Sequence, residues 1–457
     1  MERRWIITLF LYSSLVCLAG EVDIPEVFAA GLPVIQIETV NGEEPTADRL
    51  EAPEGCMGAT ITNVNKVPAR MTITIDNQIV YDSGEYVEKE SGIIIRVRGN
   101  TSGYRDKSPY KLKLQKKADL LFRGNDSTYK DKNWLLIRDE KLKAKIGFKI
   151  NELMGMQWTP SYQYVNVILN GQYRGLYMLV ESVSRNTKCR LDVSKTGFIF
   201  EYDAYWWNEE VYVKSPTLSH SMHYTFKYPD PEEISEEQLD YFTKMITRAE
   251  YALKDGSYGQ YIDIKSFASW LLAQDILGQW DAGGSNYYMT KYDDTDNTKV
   301  MMANLWDFDH IMQTEDKWCN MHKRWFIFRE VIDDGIFFKV YNDRFNEVAP
   351  TLFKAIISYL DQYEASKEAE AVNKSMELNN VRWDDDYLSA YEYIDEAKDW
   401  FIRREVWMND TINGKSTGIM NIETDEADKT YYNLQGQRVA SPRHGLYIKD
   451  GKKIILK

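Results

Sequence analysis

Two stretches in the second half of the chain carry acidic and amide side chains at spacings that suit phosphate chemistry. In Asp281-Ala-Gly-Gly-Ser-Asn286, four residues separate an Asp from an Asn. Kinase catalytic loops have this spacing; there the Asp orients the attacking hydroxyl and the Asn binds a metal ion. In Leu305-Trp-Asp-Phe-Asp309, two carboxylates two residues apart at a predicted strand end are expected on the same side if the backbone stays extended. Mg²⁺ prefers such oxygen ligands together with substrate phosphates. We therefore predict Asp281 as the catalytic residue, and Asn286, Asp307 and Asp309 as ligands of Mg²⁺ or Mn²⁺.

Both stretches also have simpler interpretations. Asp and Asn next to glycines often form an ordinary turn, and carboxylates at a strand end often only face solvent. His310 allows a transition-metal site instead, but the other four histidines are too scattered along the chain to complete a zinc site. The order of a base, a metal-binding Asn and a metal-binding Asp is what favours the catalytic interpretation.

A basic segment near residue 100 supplies groups that suit contact with phosphates. Arg98 begins a glycine-containing loop, and backbone N–H groups in such loops approach phosphate oxygens. Lys107 precedes the next predicted strand and Lys113 lies on it, so either lysine is a candidate phosphate contact. Glu152 or Glu181 is expected to pair with that lysine, and the sequence does not choose between them. Lysines on an alternating strand also fit a plain solvent-facing surface.

The elements that must position these groups form a β-rich half followed by an α-rich half. Alternating apolar residues and turn signals, including the hairpin pair Asn170-Gly171, predict short strands from about residue 33 to 202. Ser235 with Gln238, and Asp263, are N-cap signals for two helices between about 235 and 280. Strands are predicted over 286–290 and 300–306, and helices over about 335–408. These patterns indicate an α+β fold.

Charge and composition limit the classes of function. The chain has 457 residues, 44% of them hydrophobic, and a net charge of −14. A sizeable core is therefore expected. So acidic a chain is poorly suited to general nucleic-acid binding, which needs many Lys and Arg residues, or to adhesion to anionic lipid surfaces.

The N-terminus has the pattern of a secretory signal peptide. Basic residues precede an apolar run from Ile6 to Ala19, and cleavage is predicted near residues 19–21. No later apolar run is long enough for a transmembrane helix. Export leaves Cys56, Cys189 and Cys319, an odd number at wide spacing, so either one disulfide or three thiols is expected.

Four ordered blocks make the chain resemble the spore coat protein H (CotH) kinase family. They are Arg98-Gly-Asn-Thr-Ser102 with Lys107-Ser-Pro-Tyr-Lys-Leu-Lys113, then Leu169-Asn-Gly-Gln-Tyr-Arg-Gly-Leu-Tyr177 with Glu181, then Asp281 with Asn286-Tyr-Tyr, then Trp306-Asp-Phe-Asp309. The likeness covers roughly residues 90–400. It implies an atypical, two-lobed protein-kinase-like domain that uses ATP. It also implies Asp281 as the catalytic Asp, Asn286 and Asp307 as metal ligands, and Lys113 or Lys107 as a phosphate contact.

The C-terminal tail has a resemblance of its own. Tyr432-Asn-Leu-Gln-Gly-Gln-Arg-Val439 and the residues after it are similar to short all-β tails of exported Bacteroidetes-type proteins. Together with the signal peptide, this implies an extracellular or cell-surface location. The expected divisions are a signal peptide at 1–20, a β-rich segment at 21–90, the CotH-like domain at 91–410 and the tail at 416–457.

The leading functional prediction is an exported phosphotransferase. It would move a phosphoryl group from ATP, or a similar nucleotide, to a protein or another hydroxyl-bearing acceptor at the cell surface. Two alternatives stay open. One is a non-catalytic adhesin or scaffold that retains the fold, and the other is a metal-dependent or sugar-acting hydrolase that uses the same aspartates.

Overall fold

The computed structural model describes residues 20–124, 127–218, 221–283, 285–313, 326–331, 334–414, 431–433, 438–439, 445–449 and 452–456. The predicted signal peptide lies outside the described residues except for Gly20, and so do Cys319 and most of the predicted tail. Cys56 and Cys189 are free thiols, both partly buried. No helix within the described ranges is both long and apolar enough to span a membrane.

The first part of the chain forms a seven-stranded barrel. The strands pair in the order β1-β9-β10-β8-β7-β6-β4, and pairing of β4 with β1 closes the ring. Neighbours run antiparallel except for β1 and β9, which run parallel. The strands of this part are β1 Val34–Thr39, β2 Asp48–Glu51, β3 Ala59–Thr62, β4 Val67–Ile75, β5 Gln78–Asp82, β6 Ile93–Val97, β7 Tyr110–Ala118, β8 Asp131–Ile137, β9 Tyr162–Leu169 and β10 Gln172–Glu181. β5 extends the ladder from β4, and β2 pairs with β3 in a separate ribbon.

Side chains on β6 and β7 alternate between the core of the barrel and its outer face. Ile93, Ile95 and Val97 on β6 are buried in its core, and so are Tyr110, Leu112 and Leu114 on β7. Because successive strand residues point to opposite faces, Arg96, Lys111 and Lys113 stand on the outer face. The alternation predicted for residues 110–114 is confirmed.

A second sheet joins the two halves of the sequence. Its order is β12-β13-β11-β14-β15, with all neighbours antiparallel. The strands are β11 Phe198–Asp203, β12 Tyr212–Val213, β13 His223–Tyr228, β14 Tyr287–Lys291 and β15 Val300–Met302. The last two come from the helical half. β14 pairs with β11 from the β-rich half, and β15 pairs with β14.

All described helices but the first share one apolar core with the second sheet, and the first packs on barrel residues such as Val34 and Ile168. The helix bounds are α1 Ile24–Ala29, α2 Lys143–Leu153, α3 Glu236–Asp255, α4 Ile264–Leu277, α5 Phe326–Val331, α6 Gly335–Glu364, α7 Lys367–Trp383 and α8 Ala390–Asn413. The capping box of Ser235 with Gln238 is confirmed. Asp263 caps α4 by accepting from the backbone N–H of Ser266 at 2.7 Å. In the tail, β16 Tyr431–Tyr432, β17 Arg438–Val439, β18 Gly445–Lys449 and β19 Lys452–Leu456 form a small sheet.

The α+β class is confirmed, with strands first and helices after them. The barrel is a feature that the sequence patterns did not specify. Its closure depends on β1 meeting β4 and β9, and no local residue pattern encodes that long-range pairing. The two-lobed likeness to protein kinases stays a prediction of the resemblance.

Lys107 joins three elements at a buried point. Its side chain, 5% exposed, donates to Glu140 Oε1 at 2.5 Å, to the Leu176 carbonyl at 2.7 Å and to Asn379 Oδ1 at 2.6 Å. Burial alone would raise the pKa of Glu140, but Lys107 and Arg138 lower it to about 2. Those three bonds use all three N–H donors of the ammonium group, so none is left for a phosphate. Lys107 therefore has a structural role here, in place of the phosphate contact expected from the sequence.

We expect Lys107→Met to lower the free energy of unfolding by about 3–5 kcal/mol, because it removes the closest charged partner of the buried Glu140 carboxylate and leaves only Arg138 at 3.4 Å. Urea denaturation followed by circular dichroism measures the loss. The matched control is Lys116→Met on β7, the strand that follows Lys107, at an exposed position where a change within about 0.5 kcal/mol is expected. Equal stability of the two variants would contradict the structural role of Lys107.

Candidate active site

Asn286 and Asp307 meet side chain to side chain. Asn286 ends the loop between α4 and β14, and Asp307 follows β15. The Asn286 Nδ2 donates to Asp307 Oδ2 at 3.3 Å. Both residues have left-handed backbone conformations, with φ of 70° and 61°. Residues other than glycine rarely adopt this conformation, and those that do cluster at functional sites.

Gln279 brings Asp281 to the same place. The buried Gln279 side chain donates from Nε2 to the Asp307 carbonyl at 2.6 Å and accepts from the Asp281 backbone N–H at 3.3 Å. It therefore ties the loop after α4 to the segment after β15. Asp281 Oδ2 also lies 3.6 Å from His310 Nε2. The three residues predicted from spacing are thus brought together.

The carboxylates of this cluster repel one another. Burial, and then the charges of Asp309 and Asp281, raise the pKa of Asp307 to about 6. Burial and the charge of Asp309 also raise the pKa of Asp281, while His310 opposes the shift. Both aspartates nevertheless remain solvent-accessible. Asp281, Asp307 and Asp309 therefore form an open, solvent-facing cluster between the loops, which we call the recess.

Three further side chains complete the recess. Buried Glu201 of β11 accepts from the Asn286 backbone N–H at 2.8 Å and forms an ion pair of 3.1 Å with Lys227 of β13. Arg98, just after β6, lies near the same carboxylates. Burial lowers the pKa of Arg98, and the charges of Tyr288, Asp307 and Glu201 oppose that shift. Two cations therefore stand beside the acidic cluster.

The donor set fits a hard divalent cation that is also held by phosphate oxygens. Asp307 offers a carboxylate. Asn286, whose amide Nδ2 donates to it, also carries an amide oxygen, and Asp309 adds a second carboxylate charge. Within the described ranges, no three His, Cys, Asp or Glu side chains gather closely enough to hold a metal by themselves. Mg²⁺ and Mn²⁺ are commonly held by one or two carboxylates plus substrate phosphates, so the set suits them.

The comparison with protein families agrees with this geometry. A family model described as CotH kinase protein matches residues 95–408, which is more than half of the chain. The chain belongs to the CotH kinase family. Membership points to a kinase-like function and, in general terms, to the use of nucleotide and metal. No curated protein matches the sequence.

Other predicted site residues of this CotH-family chain lie in different surroundings. Glu181 is fully buried and pairs with Arg123 at 2.9 Å, so its partner is an arginine and not a lysine. Glu152 pairs with Lys149 on the surface of α2. Lys113 is exposed on the outer face of β7, on the same barrel face as Lys111.

Sequence reasoning missed Glu201, Lys227, Gln279 and the part played by His310. A charged residue inside the apolar run Phe198-Ile-Phe-Glu-Tyr202 was a usable signal, because a lone buried carboxylate needs a partner. Lys227 had no such signal, since β13 was not predicted and its partner lies 26 residues earlier in the chain.

Phe308 anchors the segment that carries Asp307 and Asp309 on α2. Its ring packs directly on Gly147, where an added Cβ would lie 2.1 Å from Phe308 Cδ1. The ring also meets Phe148 edge-on, with centroids 5.2 Å apart. Lys143 donates to the Asp309 carbonyl at 2.6 Å. One helix thus fixes the segment directly after Asp307.

Two concave pockets lie apart from this recess. One, of about 240 Å³, includes Asp275 and Tyr341, and the other, of about 400 Å³, includes Lys145 and Tyr363. Neither contains a predicted site residue. The open recess at Asp307 is therefore identified by the side chains that meet there, and not by the volume of a cavity.

We expect Gly147→Ala to displace Phe308, and with it Asp307 and Asp309, and to lower stability by about 1–3 kcal/mol through overpacking. Thermal unfolding with and without Mn²⁺ measures both effects, and the stabilisation by metal should shrink. Gly335→Ala is the control, because no atom lies within 4 Å of the added Cβ. An unchanged metal response in Gly147→Ala would contradict this positioning role.

The raised pKa of Asp307 predicts a pH dependence of stability. Its folded-state pKa is about 6 and its ordinary value is 3.8, so the folded protein holds the proton more tightly than the unfolded chain. This contribution to stability is therefore fully present below pH 4 and is lost as the pH rises through 6. We expect the metal-free wild type to lose stability relative to Asp307→Asn over this window, as measured by urea denaturation. Parallel pH profiles would contradict the expected burial and repulsion at Asp307.

Proposed function

We propose that this CotH-family chain transfers a phosphoryl group from ATP, or a similar nucleotide, to a hydroxyl group on a protein or another acceptor. The observation that carries the proposal is the convergence of Asp281, Asn286 and Asp307 from separate stretches in one recess. Family membership supports it. The sequence signals at both ends of the chain support the further proposal of an exported, Bacteroidetes-type member that acts at the cell surface.

The residues divide into three roles. Arg98, already a candidate from the sequence, and Lys227 would neutralise the phosphates of the donor, since Lys107 has no free donor for that role. Asp307 and Asn286, with Asp309 beside them, would hold Mg²⁺ or Mn²⁺. The metal would supply charge neutralisation on the transferring phosphate.

Asp281 is the group placed to receive a proton. The acceptor hydroxyl would donate a hydrogen bond to the Asp281 carboxylate, which orients its oxygen toward the terminal phosphorus. As the new O–P bond forms, the bond to the bridging oxygen breaks and the nucleoside diphosphate leaves. The hydroxyl proton passes to Asp281. Most of the catalysis comes from positioning and electrostatics, because phosphoryl transfer needs little covalent chemistry from the protein.

The amide bridge of Gln279 would keep Asp281 and Asp307 at a fixed separation. Its two hydrogen bonds reach main-chain atoms, so the separation does not depend on the charge of either carboxylate. Trp280, which is 46% exposed, stands beside Asp281 and contacts His310 with ring centroids 4.8 Å apart. An exposed aromatic ring at this position would shield one side of the bound acceptor from water.

We expect Asp281→Asn to lower the rate of phosphoryl transfer by at least about 100-fold, the usual scale of general-base catalysis. Asp307→Asn should also weaken metal-dependent nucleotide binding. The assay follows transfer from γ-labelled ATP with Mn²⁺, either to the protein itself or to a generic acceptor, and binding is measured by calorimetry. The control is Asp240→Asn on α3, which carries only an exposed ion pair with Lys244.

Three outcomes separate the candidate functions. Transfer that both site variants abolish and the control retains supports the phosphotransferase. Absence of nucleotide binding by the wild type rejects it in favour of a non-catalytic surface module. Turnover of glycans without nucleotide, lost in the same variants, rejects it in favour of a hydrolase.

A further inference from the structure

Three cations form a strip on the outer face of the barrel, next to the recess. Arg96 of β6 stands directly opposite Lys111 of β7 in the ladder, and Lys113 follows two residues along β7 on the same face. We call Arg96, Lys111 and Lys113 the outer basic strip. Arg98, two residues after Arg96, continues the same face toward Asp307.

The strip has no carboxylate partners among the described residues, although Arg96 and Lys111 are partly buried. Within the described ranges, none of its three side chains forms an ion pair or a hydrogen bond. The chain nevertheless holds 70 acidic against 56 basic residues, and Arg70, Arg123 and Lys227 all pair with acids. Like charges directly opposite each other in a ladder are destabilising. A bound anion would reduce the repulsion among the cations of the strip.

Partial burial strengthens the repulsion among the cations of the strip. Arg96 and Lys111 are partly buried, whereas Lys113 is exposed. Burial, and then the charges of Arg96, Lys227, Arg98 and Lys113, lower the pKa of Lys111 to about 8. The cations are therefore close enough to attract one anion jointly, because water screens partly buried charges incompletely.

The strip differs from the two cations inside the recess. Arg98 lies near Asp307 and Glu201, and Lys227 is paired with Glu201. Those two cations are suited to phosphates that arrive with a divalent metal. No carboxylate neutralises the strip, so it is suited to an anion that comes without metal.

We propose that the outer basic strip binds a second phosphate group, carried by the acceptor and separate from the donor phosphates at Arg98 and Lys227. This inference deepens the proposed function, because it makes an already phosphorylated molecule the preferred acceptor. A phosphate on the strip would hold the acceptor beside the recess while its free hydroxyl reaches Asp281.

The first test is metal-free binding of inorganic tripolyphosphate, measured by calorimetry. The protein carries Asp281→Asn, which removes transfer and leaves the strip intact. We expect the added pair Arg96→Met and Lys111→Met to weaken binding at least tenfold. The control pair Lys116→Met and Lys117→Met removes two exposed charges further along β7 and should leave binding unchanged. Equal affinities for the two pairs would overturn the proposal.

Measuring the unfolding temperature of the variants separates a loss of binding from a loss of folding. Removing opposed like charges should leave the unfolding temperature of the strip variant equal to or above that of its parent. A weakened affinity with an unchanged or raised unfolding temperature supports a binding role. A lowered unfolding temperature with unchanged affinity shows a purely structural role and rejects the site.

The second test separates the acceptor phosphate from the donor phosphates. O-phosphoserine is titrated into the protein with and without a saturating non-hydrolysable ATP analogue and Mn²⁺. Binding that persists with the analogue and is lost in the strip variant supports a separate subsite. Displacement by the analogue would assign the strip to the donor and overturn the proposal. If tripolyphosphate binding depends on the strip but the wild type transfers no phosphate, only the proposed function fails.

Discussion

Mutual repulsion among Asp281, Asp307 and Asp309 is the constraint around which the rest of the recess is built. Burial and the charges of neighbouring carboxylates raise the pKa values of Asp281 and Asp307, and the fold must hold these groups together against that cost. It does so mainly through main-chain contacts. Gln279 bonds to the backbone of both loops, and Glu201 accepts from the backbone of Asn286. The acidic side chains themselves are left available for a cation.

Different elements of the fold contribute different parts of the recess. The second sheet supplies Glu201, Lys227 and the approach to Asn286, while α2 supports the Asp307 segment through the ring of Phe308. The barrel adds Arg98 at the end of β6. Residues from distant parts of the chain thus meet because a sheet and a helix hold short loops, which is how a rigid scaffold positions functional residues carried on loops.

Local chemistry was predictable from sequence, and the environment of each residue was predictable only in part. The spacing of Asp281, Asn286 and Asp307 identified residues that do meet, and the N-cap signals at Ser235 and Asp263 gave correct helix starts. Lys107 shows the limit. Its flanking sequence suggested a phosphate contact, but its partners Glu140, Leu176 and Asn379 lie 33, 69 and 272 residues away. Barrel closure and the Glu201–Lys227 pair are equally non-local, so periodicity and turn chemistry could not reveal them.

The pairing of β14 with β11 has a consequence for how this molecule can be divided. β11 lies between β13 and β14, so a fragment that stops before residue 287 exposes one edge of an otherwise interior strand. That edge would present unpaired N–H and C=O groups, which invite association with other chains. The apparent border between a strand-rich and a helix-rich half is therefore no place to cut. During synthesis, β11 also lacks its partner β14 until the segment some 90 residues further on has been made.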